Sequence, residues 1–256
     1  MRSEFQLKED ICEVGRRIYQ NGYVAANDGN ITVRIGENEV LTTPTGVSKG
    51  FMNPQMIIKV NMDGEVLSGD LKPSSELKMH LRVYKERPDV RSVIHAHPPT
   101  ATGFAVAGIP LVRCILPEVI ISLGSIPIAE YGTPSTEEIP DAIMKYLTDC
   151  DAVLLANHGA LTVGTDLFNA YFKMETLEHF AKISLVARQL GGEQELPKEQ
   201  VKKLYEVREK LGVKGRNPGC QSCGACDLEQ TEDHAEESLR EMVKRITRRV
   251  LSELDK

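Results

Sequence analysis

The chain has 256 residues, of which 41% are hydrophobic, and a formal net charge of −6 at pH 7. That hydrophobic fraction is ordinary for a globular protein, and the negative balance argues against a general nucleic-acid binder. The sequence contains no stretch near the roughly 18 apolar residues of a membrane span. Charges occupy residues 1–10, where a signal peptide would need an apolar core. We therefore expect a cytoplasmic protein that contacts neither nucleic acid nor membrane.

The first part of the chain predicts one helix followed by two pairs of strands. Apolar residues recur at helical spacing over residues 4–21, and Asn-Gly closes this segment. Residues 30–35 and 38–44 are predicted to form paired strands. Residues 56–69 are predicted to form a hairpin around an Asp-Gly turn, which is a strong turn signal.

The rest of the main segment alternates between helical and strand patterns. Helical spacing returns over residues 75–88 and ends at a proline, and residues 90–97 then form a predicted strand. A short helix is predicted over 98–108, a buried strand, turn and strand over 151–164, and a long amphipathic helix over 166–190. Short strands between helices imply a layered α/β domain. The hairpins favour a mixed or antiparallel sheet over a doubly wound one.

The composition changes after about residue 213. Residues 214–233 contain glycine, cysteine and polar residues but almost no large apolar side chain, which is typical of a linker. Residues 234–256 return to helical spacing. The sequence therefore predicts a main domain over 1–213, a flexible cysteine-containing linker over 214–233 and an amphipathic docking helix over 234–256.

Three histidines and one glutamate are candidate metal ligands. His95 and His97 lie one residue apart at the end of a predicted strand, so both side chains point to the same face. His158 follows the apolar run 152–156, where a strand runs into a turn. Glu76 follows Pro-Ser-Ser, a helix-start signal with a hydroxyl expected at the N-cap. Three imidazoles and a carboxylate suit a divalent transition metal such as zinc.

Two polar loops have the composition of an anion site. The segments "ANDGNITVR" at 26–34 and "TPTGVSKG" at 43–50 are small, polar and glycine-containing, and each lies beside a predicted strand. Together with "PSS" at 73–75 they offer backbone N–H groups, hydroxyls and an amide, which can hold phosphate without a cationic cage. Such loops alone are a weak signal.

The order of these motifs resembles the zinc-dependent class II aldolase family typified by fuculose-1-phosphate aldolase. The resemblance covers roughly residues 5–212. It implies a three-layer α/β/α sandwich around a central, mostly antiparallel sheet, and a cyclic homotetramer with active sites between subunits. It places the zinc ligands, one ion per chain, on Glu76, His95, His97 and His158. It places the phosphate pocket on Gly29, Asn30, Thr45, Gly46, Ser74 and Ser75.

The implied reaction is reversible cleavage of a ketose 1-phosphate, of the L-fuculose or L-rhamnulose type, to dihydroxyacetone phosphate and L-lactaldehyde. Cleavage between C3 and C4 leaves an enediolate, which a divalent cation can stabilise as a Lewis acid. Glu76, beside the metal, is the candidate that moves the proton on the enediolate carbon. The phosphate loops would hold the substrate so that the reacting bond meets the metal.

The sequence departs from the family on the aldehyde side. Fuculose-type enzymes use a tyrosine there, from the neighbouring subunit, whereas residues 113–124 contain no tyrosine. Glu118 and Tyr131 are the replacement candidates for catalysis, and Glu118 could equally be a surface charge. The alternatives are a 4-epimerase, a dehydratase or a sugar-acid phosphate decarboxylase of the same fold. An adducin-like binding protein is less consistent with the three histidines.

A cysteine cluster forms part of the linker. Cys220, Cys223 and Cys226 have the two-residue gaps of a metal or redox motif, and His234 is a candidate fourth ligand. The alternative is a flexible linker with reduced thiols.

The final helix has an apolar stripe flanked by basic residues. The stripe consists of Leu239, Met242, Val243, Ile246, Val250 and Leu254. An enzyme core, a loose linker and a short terminal helix resemble the encapsulation peptides that target enzymes to bacterial microcompartments. This resemblance implies that the stripe docks on a shell protein in a fucose- or rhamnose-degrading compartment. The alternatives are docking on the protein's own tetramer or on a membrane surface.

Overall fold

An eight-stranded sheet forms the middle layer of the protein, in a computed structural model that describes residues 2–133 and 136–219. The strands are β1 (Asn30–Arg34), β2 (Val40–Thr42), β3 (Ile58–Val60), β4 (Val66–Ser68), β5 (Ser92–Ala96), β6 (Ile128–Ala129), β7 (Ala152–Leu155) and β8 (Gly159–Gly164). Their order is β4-β3-β2-β1-β5-β8-β7-β6. Each neighbouring pair is antiparallel except β6 and β7, which are parallel. The predicted mostly antiparallel sheet is confirmed.

Helices cover both faces of the sheet. The described helices are α1 (Glu4–Gln20), α2 (Leu77–Glu86), α3 (Pro99–Ala107), α4 (Pro117–Ser122), α5 (Glu138–Leu147), α6 (Leu167–Gln189) and α7 (Lys198–Lys210). One hydrophobic core joins α1, α3, α4 and α6 to one face of the sheet, and a second joins α2 and α5 to the other. The expected three-layer α/β/α sandwich is therefore confirmed.

The predicted elements form where their local signals indicate. Helix α1 begins with a capping box, in which the Ser3 hydroxyl accepts from the Gln6 backbone N–H and the Gln6 side chain accepts from Ser3. Asp166 caps α6 through the backbone N–H of Asn169. The central strands β5 and β8 are buried along their whole length, as expected for strands between two helical layers.

Three described α-helices and one strand were not among the sequence predictions. They are α4, α5, α7 and β6. Strand β6 has only two residues, and α7 has no buried residue, so neither leaves a clear periodic pattern. Helix α5 does carry a signal, since Ile139, Ile143 and Leu147 recur at four-residue intervals and are buried.

The chain beyond α7 remains in contact with the main domain as far as the structure describes it. The backbone N–H of Arg216 donates to Asp151 Oδ2 at 2.9 Å, and the Asn217 amide donates to the Ile120 carbonyl at 2.7 Å. The Ser125 hydroxyl donates to the Gly219 carbonyl at 3.0 Å. Residues 214–219 of the predicted linker thus lie against α4 and its surroundings.

The cysteine cluster and the amphipathic docking helix lie outside the described residues and stay predictions. Of the helices that the structure does describe, none combines the length and the apolar character needed to cross a bilayer.

Candidate active site

Three histidines from neighbouring strands meet at one edge of the sheet. His95 lies on β5, His97 follows the end of that strand, and His158 lies in the turn between β7 and β8. One ligand atom from each lies within 4.8 Å of the others. The Nε2 atoms of His95 and His97 are 3.1 Å apart. The structure therefore brings together the three imidazoles that the sequence singled out.

Glycine at position 159 makes this convergence sterically possible. A Cβ atom at Gly159 would lie 2.6 Å from the Ala96 carbonyl oxygen and 2.6 Å from Cδ2 of His97. The same atom would be 3.3 Å from Cε1 of His95. A side chain here would push into two imidazole rings, so the turn residue is part of the site. The preceding Asn157 adopts a left-handed backbone with φ of 56°, which asparagine tolerates better than most residues.

Glu76 faces the histidines from the start of α2. Its Oε2 atom is 3.5 Å from Nε2 of His95, and its Oε1 atom is 3.3 Å from Nε2 of His158. The side-chain amide of Asn30 donates to Oε2 at 2.9 Å. Asn30 lies directly opposite His95 in the β1–β5 register. Strand pairing thus fixes Asn30 relative to His95, and the Asn30 amide in turn orients the Glu76 carboxylate.

The expected hydroxyl cap at the start of α2 is wrong. Glu76 itself is the N-cap residue, and its side chain makes no capping hydrogen bond. The Ser74 hydroxyl, two residues before the N-cap, instead accepts from the Glu76 backbone N–H at 3.3 Å. The carboxylate of Glu76 is consequently free of the backbone and available to the histidines.

The protonation of the cluster suits metal binding. Nδ1 of His95 is 3.0 Å from the Ala160 carbonyl oxygen and must donate to it, so Nε2 keeps its lone pair. Burial, together with the neighbouring imidazoles, holds the pKa of His95 well below its usual value. Burial likewise lowers the pKa of His97.

The residues present fit a divalent cation. Nε2 of His95 carries a lone pair and lies 3.1 Å from Nε2 of His97, so this contact needs either a proton on His97 Nε2 or a cation shared by the two nitrogens. Glu76 Oε1 and Nδ1 of His158 are buried and have no hydrogen-bond partner among the described residues. Three imidazoles and one carboxylate form a common zinc donor set.

The three anion-loop segments lie next to this cluster. Gly29 has φ of 72°, and a Cβ there would lie 2.9 Å from the His95 carbonyl oxygen, so the first loop lies directly against β5. The backbone N–H of Thr45 donates to the Lys72 carbonyl at 3.0 Å, and that of Ser74 donates to Thr43 at 3.3 Å. These bonds pair the second loop with the third. Thr45, Gly46 and Ser75 are exposed, whereas Asn30 is buried.

Comparison with known proteins agrees with this arrangement. Residues 9–185 match the family model of the class II aldolase and adducin N-terminal domain. The chain belongs to this family.

Curated relatives within the class II aldolase family catalyse more than one reaction. The chain is 34% identical to the 3-oxo-tetronate 4-phosphate decarboxylase of Escherichia coli over 187 residues, which cover 72% of the chain and 88% of the relative. It is 32% identical to the L-fuculose phosphate aldolase of Methanocaldococcus jannaschii over 179 residues, 70% of the chain and 96% of the relative. A solved L-fuculose 1-phosphate aldolase is 30% identical, with a TM-score of 0.75 over 82% of the chain and 98% of that structure.

Two predicted catalytic residues of this family member lie apart from the cluster. Glu118 is exposed on α4, which packs against α6 and α7. Tyr131 follows β6 and its side chain is 61% exposed. Within the described residues, no hydrogen bond or ion pair links either side chain to the histidines. Their catalytic roles stay predictions.

Three residues near the cluster were missed by the sequence reasoning. Lys49 is buried and acts electrostatically on Glu76 and His95. The carboxylate of Asp28 is 3.6 Å from Nδ1 of His97. Lys49 and Asp28 both lie in the loops "TPTGVSKG" and "ANDGNITVR", so their position in the chain was a usable signal.

His80 was also missed, although helical spacing places it one turn after Glu76. It is fully buried, its Nδ1 lies 2.8 Å from the Thr32 hydroxyl, and its Nε2 has no partner among the described residues. Burial lowers its pKa to about 3, with His95 adding to the effect. His80 is therefore a neutral imidazole behind the cluster.

Proposed function

We propose that this chain is a metal-dependent enzyme that acts on a phosphorylated sugar or sugar acid and breaks the carbon–carbon bond between the carbon next to the carbonyl group and the leaving carbon. The observation that carries the proposal is the convergence of three imidazole ligand atoms, within 4.8 Å of one another, with a carboxylate at 3.3 Å and 3.5 Å from two of them. This group lies beside three loops that can bind an anion. The membership of the family supports a sugar-phosphate substrate.

His95, His97, His158 and Glu76 would hold the metal, and we propose one zinc ion per chain. Bound there, zinc supplies a Lewis acid that stabilises negative charge on the substrate's carbonyl oxygen. The low pKa of His95 keeps that imidazole neutral and able to bind a cation. The buried carbonyl of Ala160 fixes its tautomer.

Glu76 is the residue positioned to move a proton. The Asn30 amide holds Oε2, while Oε1 has no hydrogen-bond partner among the described residues. One oxygen is therefore oriented and the other can accept or deliver a proton at the carbon next to the carbonyl. Positioned acid–base groups of this kind typically contribute about 10²-fold or more to the rate.

The polar loops would bind the phosphate and thereby fix the position of the substrate relative to the histidines. The proposed contacts are Gly29, Asn30, Thr45, Gly46, Ser74 and Ser75. Backbone N–H groups and hydroxyls in such loops suit phosphate oxygens. Because the first loop lies directly against β5, a bound phosphate would place the sugar next to the histidines.

The first candidate reaction is reversible cleavage of L-fuculose 1-phosphate or L-rhamnulose 1-phosphate to dihydroxyacetone phosphate and L-lactaldehyde. In the cleavage direction the C4 hydroxyl must lose its proton as it becomes the aldehyde carbonyl, so a base is needed there, and the same group returns the proton in the reverse reaction. We propose that a neighbouring subunit of a homotetramer supplies that group. Glu118 and Tyr131 are exposed on the surface of one chain and could reach the site of another.

The second candidate reaction is decarboxylation of a phosphorylated 3-oxo sugar acid. One observation favours it: residues 113–124 contain no tyrosine to serve the aldehyde side. Carbon dioxide leaves from a carboxylate, so no hydroxyl proton has to be removed, and a decarboxylase needs only the metal, the phosphate site and a group that protonates the enediolate carbon. The 34% identity to a 3-oxo-tetronate 4-phosphate decarboxylase supports this alternative.

The deciding experiment gives the zinc-loaded enzyme both substrate classes. Release of dihydroxyacetone phosphate from a ketose 1-phosphate would support the aldolase, and release of carbon dioxide from 3-oxo-tetronate 4-phosphate would support the decarboxylase. The His95→Ala enzyme is the control for metal dependence. A purified protein that binds no divalent metal, and converts neither substrate, would contradict the proposed function.

A further inference from the structure

Lys49 is a buried lysine that the proposed reaction leaves without a role. Its side chain is 1% exposed. The ammonium group donates to the Asn27 carbonyl oxygen at 3.1 Å and to the Val47 carbonyl oxygen at 2.9 Å. Burying a lysine is costly because its charge loses water. A position that keeps one therefore calls for an explanation.

The two carbonyls belong to two different anion loops. Asn27 lies in the loop that leads to Gly29 and Asn30, and Val47 follows Thr45 and Gly46 in the second loop. One ammonium group therefore forms hydrogen bonds to both loops and links them. The loops also meet where the Thr43 backbone N–H donates to the Ile31 carbonyl at 3.1 Å beside the β1–β2 pair, and Lys49 adds a second link between them away from those strands.

The charge of Lys49 is not cancelled by a close ion pair. Among the described residues, its hydrogen-bond partners are backbone carbonyls and not a carboxylate. Asp28 and Glu76 act on it over a longer distance and favour its charged form, while burial lowers its pKa to about 8. At neutral pH the ammonium is mostly protonated and carries a positive charge next to both loops. None of the residues proposed to contact the phosphate is itself positively charged.

Two further polar atoms in the same loops are without a partner among the described residues. The Ser48 hydroxyl is buried and makes no hydrogen bond within the described residues, and neither does Oδ1 of Asn30. Buried polar atoms are rarely left unpaired unless a ligand or water completes them. Both atoms lie in the loops that Lys49 joins.

We propose that Lys49 is a positioning residue for the substrate phosphate, which fixes the two loops against each other and supplies the positive charge behind the anion pocket. This inference rests on the proposed function, in which the same loops bind phosphate. Lys49 would then hold the pocket in shape and supply much of the attraction that it exerts on the phosphate anion. A lysine that merely filled the core would have no effect on anion affinity.

The test measures binding of inorganic phosphate to the zinc-loaded enzyme by calorimetry. Lys49→Met keeps the length of the side chain and removes the charge, and it should weaken phosphate binding by about tenfold or more, the usual effect of losing a charged hydrogen-bonding group. Lys49→Arg should recover part of that loss. Zinc content should stay unchanged in both variants, since Lys49 is not among the proposed ligands.

Lys173 provides a matched control. It is also a buried lysine, but it donates to Asp151 at 2.7 Å and to the Val163 carbonyl at 3.0 Å, away from the loops. Lys173→Met should lower the melting temperature without changing phosphate affinity. Equal phosphate binding by wild type and folded Lys49→Met would overturn the proposal, as would an equal loss in Lys173→Met. A wild-type enzyme that binds zinc but no phosphate would overturn the phosphate pocket itself, and this proposal with it.

A measurement on the wild-type enzyme keeps the proposal testable if Lys49→Met does not fold. Sulfate does not change its charge near pH 8, so it reports the charge of the pocket. The ammonium is charged below its pKa of about 8 and neutral above it, and sulfate binding should weaken by about tenfold from pH 7 to pH 9. The groups acting on Lys49 are Asp28, Glu76 and His95, and His95 is already neutral over this range. Sulfate affinity that stays constant over this range would contradict the proposal.

Discussion

His95 donates from Nδ1 to the carbonyl oxygen of Ala160 at 3.0 Å, across the β5–β8 pair in which residues 96 and 160 lie opposite each other. This contact turns Nε2 towards Glu76 and the other two histidines. The tautomer and the direction of the imidazole are thus set by strand register. A metal ligand whose second nitrogen is held in this way loses little freedom on binding, which typically strengthens a metal site.

We expect the purified enzyme to contain about one zinc ion per chain, and the His95→Ala and His97→Ala double variant to contain none. The reason is the loss of two of the three imidazoles that meet within 4.8 Å. Elemental analysis of dialysed protein measures the ratio. His179→Ala, which removes an exposed histidine on α6, is the control and should keep its zinc. Full metal content in the double variant would remove the basis for the metal site.

Glu76→Gln should reduce the turnover rate by roughly 10²-fold or more while substrate binding changes little. The amide has nearly the same shape as the carboxylate but cannot accept the proton. Steady-state kinetics would show the loss in kcat rather than in KM. Glu86→Gln, at the exposed end of the same helix, should behave like wild type. If Glu76→Gln turns over at close to the wild-type rate, Glu76 is only a structural residue at the start of α2.

Gly159→Ala should weaken zinc binding by about 10- to 100-fold, the usual scale for disturbing the surroundings of metal ligands. The added methyl group would lie 2.6 Å from His97 Cδ2 and from the Ala96 carbonyl oxygen. Competition with a chromophoric chelator measures the zinc affinity. Gly103→Ala in α3, where an added Cβ meets no atom within 4 Å, is the matched control. Unchanged zinc affinity in Gly159→Ala would show that the turn tolerates a side chain.

The sequence was sufficient to predict that His95 and His97 meet, because alternation in a strand places them on one face, and the family resemblance added His158 to this pair. The hairpin signals were sufficient to favour a mixed or antiparallel sheet, and the family resemblance implied the mostly antiparallel one. The sequence could not predict that Asn30 orients Glu76, because this contact depends on β1 lying next to β5. The sequence could not predict the role of Lys49 either, because one of its two carbonyl partners, Asn27, is 22 residues away in the chain. The other partner, Val47, is 2 residues away.

The C-terminal prediction needs an experiment of its own, because residues 234–256 lie outside the described part of the chain. A fluorescent protein fused to this segment should form puncta in cells that produce microcompartment shells. The expected cause is docking of the apolar stripe on a shell protein. Replacing Val243 and Ile246 with aspartate should make the fluorescence diffuse. Diffuse fluorescence from the unaltered fusion would argue against targeting.

His80 should make the protein less stable as the pH falls below about 6.5. Its pKa is about 3 in the folded protein, whereas an unfolded histidine has its ordinary pKa near 6.5. Between these pH values the unfolded chain binds a proton on His80 that the folded protein does not. The free energy of unfolding therefore rises with pH over this window and decreases as the pH falls. One such group contributes about 1.4 kcal/mol per pH unit.

The variant His80→Gln removes this titration and isolates its effect. It should be less stable than wild type at pH 7.5, because the contact with the Thr32 hydroxyl at 2.8 Å is disturbed. The difference in free energy of unfolding between the two proteins should then shrink by about 1.4 kcal/mol for each pH unit below 6.5. Only in wild type does the unfolded chain gain a proton on His80 that the folded protein does not bind. Urea unfolding at pH 7.5, 6 and 5 measures it, and comparison at equal pH cancels the contribution of His95. A constant difference across this range would mean that His80 takes up its proton in the folded protein and that its buried Nε2 is hydrated.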